Sequence, residues 1–145
     1  MRKIITDYIN LRGLCLTDLT ELFDLSDVEV TEEYDCSDNY LTNLKGCPHN
    51  VRSFNCSNNR LTSLEGAPKT VSRSFICKSN NLTNLKGAPI NIHGSFECDG
   101  NNLNSLEGIP KYIGGSFYIN YNLHKEFPEE YIRSLSDIKG RIGYW

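Results

Sequence analysis

The residues best suited to chemistry in this 145-residue chain are six cysteines and three histidines. Four of the cysteines, Cys36, Cys56, Cys77 and Cys98, are separated by 20, 21 and 21 residues. Metal binding and nucleophilic catalysis use the thiolate, and both need partners at set spacing, such as a C-x-x-C pair or a nearby histidine. No C-x-x-C pair exists, and His49, His93 and His124 hold unrelated positions. A metal site is not expected. Disulfides are not expected either: adjacent strands lie about 4.8 Å apart, close enough for a bridge, but parallel stacked side chains have the wrong relative orientation. The spacing instead describes small apolar side chains stacked in a core, as free thiols that suit a reducing cytosol. Cys15 and Cys47 fall outside the series and are not read as catalytic thiols.

Other catalytic signatures are missing. The chain contains no GxxxxGK[ST] loop, no GxSxG elbow and no HExxH pair, so neither an enzyme nor a cofactor is expected. Glu65 and Glu107 take the place that Lys45 and Lys86 take in alternate copies of a repeat. They read as solvent-facing variants rather than an acid–base pair.

That repeat is the element that positions everything else. Residues 54–68 read FNCSNNRLTSLEGAP, and copies run over 34–48 (YDCSDNYLTNLKGCP), 75–89 (FICKSNNLTNLKGAP) and 96–110 (FECDGNNLNSLEGIP). Phe54 and Cys56 alternate with polar residues as in a short strand, so they point inward. Asn59, with Asn39, Asn80, Asn101 and Asn122, is placed to satisfy the backbone where the chain turns away, forming an asparagine ladder. Leu61 and Leu64 face back into the core. Gly66 permits a tight return, and Pro68 keeps the outer edge extended. Two copies carry one extra residue before the Phe, which changes the period from 20 to 21. Val51, Phe54, Cys56, Asn59 and Leu61 fit L-x-x-L-x-L-x-x-N-x-L, the leucine-rich repeat signature.

The expected fold is therefore a leucine-rich-repeat solenoid, with a parallel β-sheet on the concave face, an extended and turn-rich convex side, and a short carboxy-terminal helical cap. One domain is expected over 1–145. Residues 1–13 form an amino-terminal cap, as a helical turn or an edge strand; 14–123 hold about six repeats; 124–145 form the carboxy-terminal cap. Leu14 and Leu16 lie 20 residues before Tyr34 and Cys36 and read as a degenerate first rung. A short helix within 18–27 would put Leu19, Leu22 and Phe23 on one face. A second helix after Pro128 would put Phe127, Tyr131, Leu135 and Ile138 on another, with Tyr144 and Trp145 packed beside it or protruding.

Composition agrees with a globular chain: 39% apolar and 23% charged residues, with a formal net charge of −3. Without an overall basic field, neither nucleic acid nor an anionic membrane is expected as a partner. No apolar run is long enough to span a bilayer and the start lacks a signal-peptide core, so a cytoplasmic location is expected.

The L-x-x-L-x-G-x-P stretch followed by F-x-C-S-x-N-x-L resembles the shortest, bacterial class of leucine-rich repeats. It is similar to those of secreted effectors of the Yersinia outer protein M and invasion-plasmid-antigen H types, which have L-P-x-L-P where this chain has LEGAP or LKGAP. The LEGAP variant with F-x-C-S-N-N resembles small repeat proteins of bacteria and large tailed phages. The resemblance covers residues 14–123. It implies a non-catalytic protein-binding module, such as a phage-encoded inhibitor of a bacterial host factor or anti-phage defence protein. An effector-like regulator and a self-assembling structural solenoid are its alternatives. The ubiquitin-ligase domain of the invasion-plasmid-antigen type has no counterpart in these residues.

Partner contacts are expected on the outward positions of the concave sheet. One column is Asp35, Asn55, Ile76, Glu97 and Tyr118; the next is Ser37, Ser57, Lys78, Asp99 and Asn120, flanked by Asp38, Asn58, Ser79, Gly100 and Tyr121. The serines before each inward aromatic (Ser53, Ser74, Ser95, Ser116) are read as structural. The repeat does not require apolar residues at Ile76, Tyr118 and Tyr121, and such side chains are favoured interface anchors. Arg60 and Tyr40 extend the patch. The predicted contact set is thus Asp35, Asn55, Arg60, Ile76, Lys78, Glu97, Asp99, Tyr118 and Tyr121, facing a protein of mixed charge.

Overall fold

The computed structural model describes residues 4–22 and 24–145, apart from the Asn122 side chain. Phe23 and that Asn122 side chain, both given roles above, lie outside the described residues.

Alternating inward and outward residues produce parallel strands that stack coil upon coil. Three long strands come first: β1 (Ile4–Asn10), β2 (Val28–Asp35) and β3 (Asn50–Asn55). Beyond them the extra residue before the Phe takes effect. Val51 and Phe54 are three residues apart, whereas their partners Val71 and Phe75 are four apart. A spacing of four puts both side chains on the inward face by period-two alternation, and Val30 and Tyr34 of β2 share it. Each later strand is split in two: β4 (Thr70–Val71) and β5 (Phe75–Ile76), β6 (Asn91–Ile92) and β7 (Phe96–Glu97), β8 (Tyr112–Ile113) and β9 (Phe117–Ile119), β10 (Asp137–Ile138) and β11 (Ile142–Tyr144). All pairings are parallel and belong to one sheet of eleven strands. The chain is a solenoid of seven coils, as the expected fold class requires.

Two side-chain ladders repair what splitting and turning cost the backbone. Ser74 Oγ accepts the Ser95 N–H (3.3 Å), Ser95 Oγ that of Ser116 (3.1 Å), and Ser116 Oγ that of Arg141 (3.1 Å). The serine column is structural, and its bonds run between coils rather than locally. The asparagines do the same at the turn. Asn80 Nδ2 donates to the Cys56, Cys77 and Lys78 carbonyls, while its Oδ1 accepts the Leu61 N–H. Asn59 and Asn39 repeat this pattern, Asn101 does so with two carbonyls, and all four are buried. Each amide thus ties its own turn to the coil before it.

The core is a column of aromatics beside a column of thiols. Tyr34, Phe54, Phe75, Phe96 and Phe117 are buried, with successive ring centroids 5.0–5.7 Å apart. Cys36, Cys56, Cys77 and Cys98 stack beside them as free thiols, with Ile119 continuing the column. Each fully buried large side chain contributes about 1.5–3 kcal/mol.

Both ends differ from expectation in part: residues 4–10 form an edge strand, one of the two forms expected of the amino-terminal cap, but that strand is itself a coil of the array. The first coil is β1, not Leu14–Leu16: Ile9 pairs with Tyr34, and Leu11, buried, donates its N–H to Asp35 O. The offset is 25 residues rather than 20, so Leu14 falls at the asparagine position, where an apolar side chain has no backbone to bond and stays exposed. The segment within 18–27 forms only a 3₁₀ turn, Leu19–Glu21, burying Leu19 and leaving Leu22 exposed. At the other end the array continues past residue 123. Ile138, Ile142 and Tyr144 pair with Ile113, Phe117 and Ile119, making a seventh coil. The helix α1 (Glu129–Leu135) has only two turns and begins after Pro128. Its inward residue is Ile132, whereas Tyr131 and Leu135 are exposed and Ile138 lies in a strand. The helix ends before Ile138 because Asp137 N–H bonds Lys111 O in the sheet.

Candidate functional site

Register fixes the outward face residue by residue. Asn10, Asp35, Asn55, Ile76, Glu97, Tyr118 and Gly143 are successive partners across seven strands. At one end of this column the polar groups serve the chain itself. Asp35 Oδ1 accepts the Ser37 N–H at 2.8 Å, and Asn55 Oδ1 that of Ser57 at 3.1 Å. Ser37 and Ser57, expected to point outward, are buried. They immediately follow the inward cysteines, where the chain already curls over the coil edge.

The flanking column is a backbone feature. Asp38, Asn58 and Ser79 have φ of 56°, 54° and 52°, and Gly100 and Gly13 hold the same place with φ of 72° and 68°. This left-handed residue lets the chain leave the strand, and short polar residues or glycine tolerate it best. Tyr121 holds the same place and, like Asp38, Asn58 and Ser79, donates its N–H to the next coil, here to Trp145 O, but it starts a 3₁₀ turn and lacks the left-handed conformation. Asp38 also accepts bonds from Asn58 (2.7 Å) and Arg12 (2.7 Å), which hold its carboxyl below the usual range.

The middle of the face carries an ion cluster. Lys78 Nζ lies 2.6 Å from Glu97 Oε2 and 3.8 Å from Asp99 Oδ1. The bond to Glu97 raises the Lys78 pKa, against the opposing effect of burial. Ile76 is half-buried between Asn55 and Glu97 in register, and the Arg60 guanidinium sits 4.5 Å above the Tyr40 ring.

Aromatics fill the far end. Tyr118 lies 6.0 Å from Trp145 between centroids, and Tyr121 lies 5.2 Å from His124, which also faces Tyr144. Trp145 is 71% exposed and Tyr121 66%. Of the predicted residues, the structure brings Ile76, Lys78, Glu97, Asp99 and Tyr118 together on the sheet. Asp35 and Asn55 share the column but are engaged in turns, Arg60 lies beyond the turn on Tyr40, and Tyr121 sits past the last strand. Trp145 is the residue missing from the predicted set. Its signal was the spacing of Ile138 and Ile142, which repeats that of Ile113 and Phe117.

The core thiols are poorly placed for chemistry. Burial pushes the Cys56, Cys77 and Cys98 thiols well up, and a contact with Cys47 together with burial does so at Cys36. They remain protonated at neutral pH and are weak nucleophiles. Among the described residues, no group of three or more acidic, histidine or cysteine side chains is placed to hold a metal, and no helix is long and apolar enough to cross a membrane. No protein-family model, curated protein or solved structure matches the chain.

Proposed function

We propose that this chain is a non-catalytic protein-binding module of the short bacterial leucine-rich-repeat kind, capturing a protein partner on the outward face of its sheet. The observation that carries the reading is the placement of Ile76, Tyr118 and Trp145. The coil requires none of them to be apolar, yet they flank a fixed cluster of Lys78, Glu97 and Asp99. Large side chains beside preorganised charges are the anchors from which protein interfaces draw most of their affinity. In this reading the partner is a bacterial cytoplasmic protein, either a host factor or an anti-phage defence protein, and a phage-encoded blocking protein is the role that the repeat's resemblance favours. Regulation by an effector-like protein would use the same face.

The test is capture from bacterial lysate with wild type and with the Ile76→Ser, Tyr118→Ser, Tyr121→Ser triple variant. The variant is expected to keep its thermal melt and lose a partner that wild type retains. A captured protein held equally by both would refute binding through this face.

A further inference from the structure

Exposed apolar side chains are gathered at the two ends of the solenoid. Of eleven large exposed hydrophobics among the described residues, Ile4, Ile5, Tyr8, Leu14 and Leu22 belong to the first coil. Tyr121, Tyr131, Leu135 and Trp145 lie from the sixth coil onward, leaving only Tyr40 and Ile90 between. Both ends also present a strand edge, since among the described residues β1 pairs only with β2, β10 only with β8 and β11 only with β9. Such edges are templates for a further strand.

We propose that copies of this chain stack end on, the seventh coil of one against the first coil of the next. The backbone pattern selects a second copy as the occupant. Inside the molecule, residues at the Phe and Cys positions donate their N–H to the following coil: Phe54 to Ser74 O, Cys56 to Ile76 O, Phe96 to Ser116 O, Cys98 to Tyr118 O. In the seventh coil those positions are Ile142 and Tyr144. In a first coil the matching acceptors are the Tyr8 and Asn10 carbonyls, which precede the inward Ile9 and Leu11. The spacing fits as well. Ile138 and Ile142 are four apart and Thr6 and Ile9 three apart, the same step that β2 already makes onto β3, where Val30 and Tyr34 face Val51 and Phe54.

Charge is complementary in that register. Lys139 falls opposite Asp7, Arg141 opposite the Tyr8 ring, and Trp145 opposite Arg12. The first pair is oppositely charged, and the other two place a cation on an aromatic face. Lys139 already touches Asp137 (2.9 Å) and Arg12 touches Asp38 (2.7 Å), so these cations would be shared between two partners. The contact joins unlike surfaces, so it does not close on itself and leads to open-ended stacks.

Sedimentation velocity of the 145-residue chain, from micromolar to millimolar concentration, tests this. Wild type is expected to show a mass that climbs through dimer to longer species. An Asp7→Lys, Tyr8→Lys variant blocks the head by repulsion with Lys139 and Arg141, and Trp145→Lys blocks the tail by repulsion with Arg12. Each variant alone is expected to be monomeric with an unchanged circular-dichroism melt. Their equimolar mixture is expected to give a one-to-one dimer and nothing larger, because each supplies the end the other has lost. A wild-type monomer at every concentration, a closed dimer that persists in either variant, or a mixture of folded variants that stays monomeric would overturn the proposal.

Discussion

Asn80 shows how much of this fold depends on one side chain. It is buried and bonded to four backbone groups in two successive coils. Alanine would leave the Leu61 N–H without a partner and take from the Cys56 carbonyl one of its two donors, Asn59 Nδ2 being the other, and a buried orphan costs about 1–3 kcal/mol. Asn80→Ala is expected to destabilise by about 2 kcal/mol in urea unfolding; a loss below about 1 kcal/mol would mean the ladder is not structural. The charged residues make a pH prediction with opposite signs at the two extremes. Lys78 has a raised pKa in the fold, so its contribution is full below the ordinary lysine value and fades as pH rises through the folded one. Asp38 is lowered, so its contribution is full above the ordinary carboxylate value and fades as pH falls through the folded one. Lys78→Met is expected to flatten the alkaline limb of a stability–pH curve, and Asp38→Asn the acid limb, each by a fraction of a kcal/mol because both groups are solvent-screened. Unchanged slopes in both variants would contradict these assignments.

At the scale of the coil, the inserted residue decides where side chains fit. Glu32 and Arg73 also hold this place, and in neither case does the coil before have an insertion to collide with. From Gly94 onward the column must be glycine. A Cβ on Gly94 would lie 2.5 Å from the Arg73 carbonyl carbon, and one on Gly115 2.7 Å from that of Gly94. Gly13 provides the contrast, with φ of 68° and open space around its Cβ position. Gly13→Ala is expected to cost about 1–2 kcal/mol for the left-handed conformation alone. Gly94→Ala is expected to cost more than Gly13→Ala, because two backbones must part; equal thermal shifts would show that the stack is looser than its geometry.

The coil was also where sequence reasoning succeeded and failed. Phe54, Cys56, Asn59 and Leu61 recur at fixed places, so the inward columns and the ladder could be read from spacing alone. The first coil could not, because its five extra residues move Leu11 and Leu16 to the positions that a period of 20 assigns elsewhere. The last coil was hidden because Ile142 and Tyr144 replace Phe and Cys, and a helix replaces the usual turn. Helical spacing then made Tyr131 and Leu135 look inward, although the sheet takes up the chain at Asp137.

Across the whole molecule, coils bury their cores only against neighbours, so a defect in the middle cannot be isolated. Leu82 is fully buried in the fourth coil, and Leu82→Asp would place a charge where only apolar atoms can meet it. Loss of the cooperative melt is expected; a melt like that of wild type would refute its inward placement. The faces divide the work differently. Scaffold letters repeat from coil to coil, while Ile76, Lys78, Glu97, Tyr118 and Trp145 differ from their counterparts and carry the proposed recognition.

Hydroxyl-radical footprinting of the protein, alone and bound to its captured partner, tests that division most directly, because it reads the solvent access of individual aromatic side chains. Tyr118 and Trp145 on the sheet face are expected to lose reactivity on binding, while Tyr131 on α1 keeps it. Protection of Tyr131 with Tyr118 and Trp145 unchanged would place the interface on the other side of the solenoid and contradict the account.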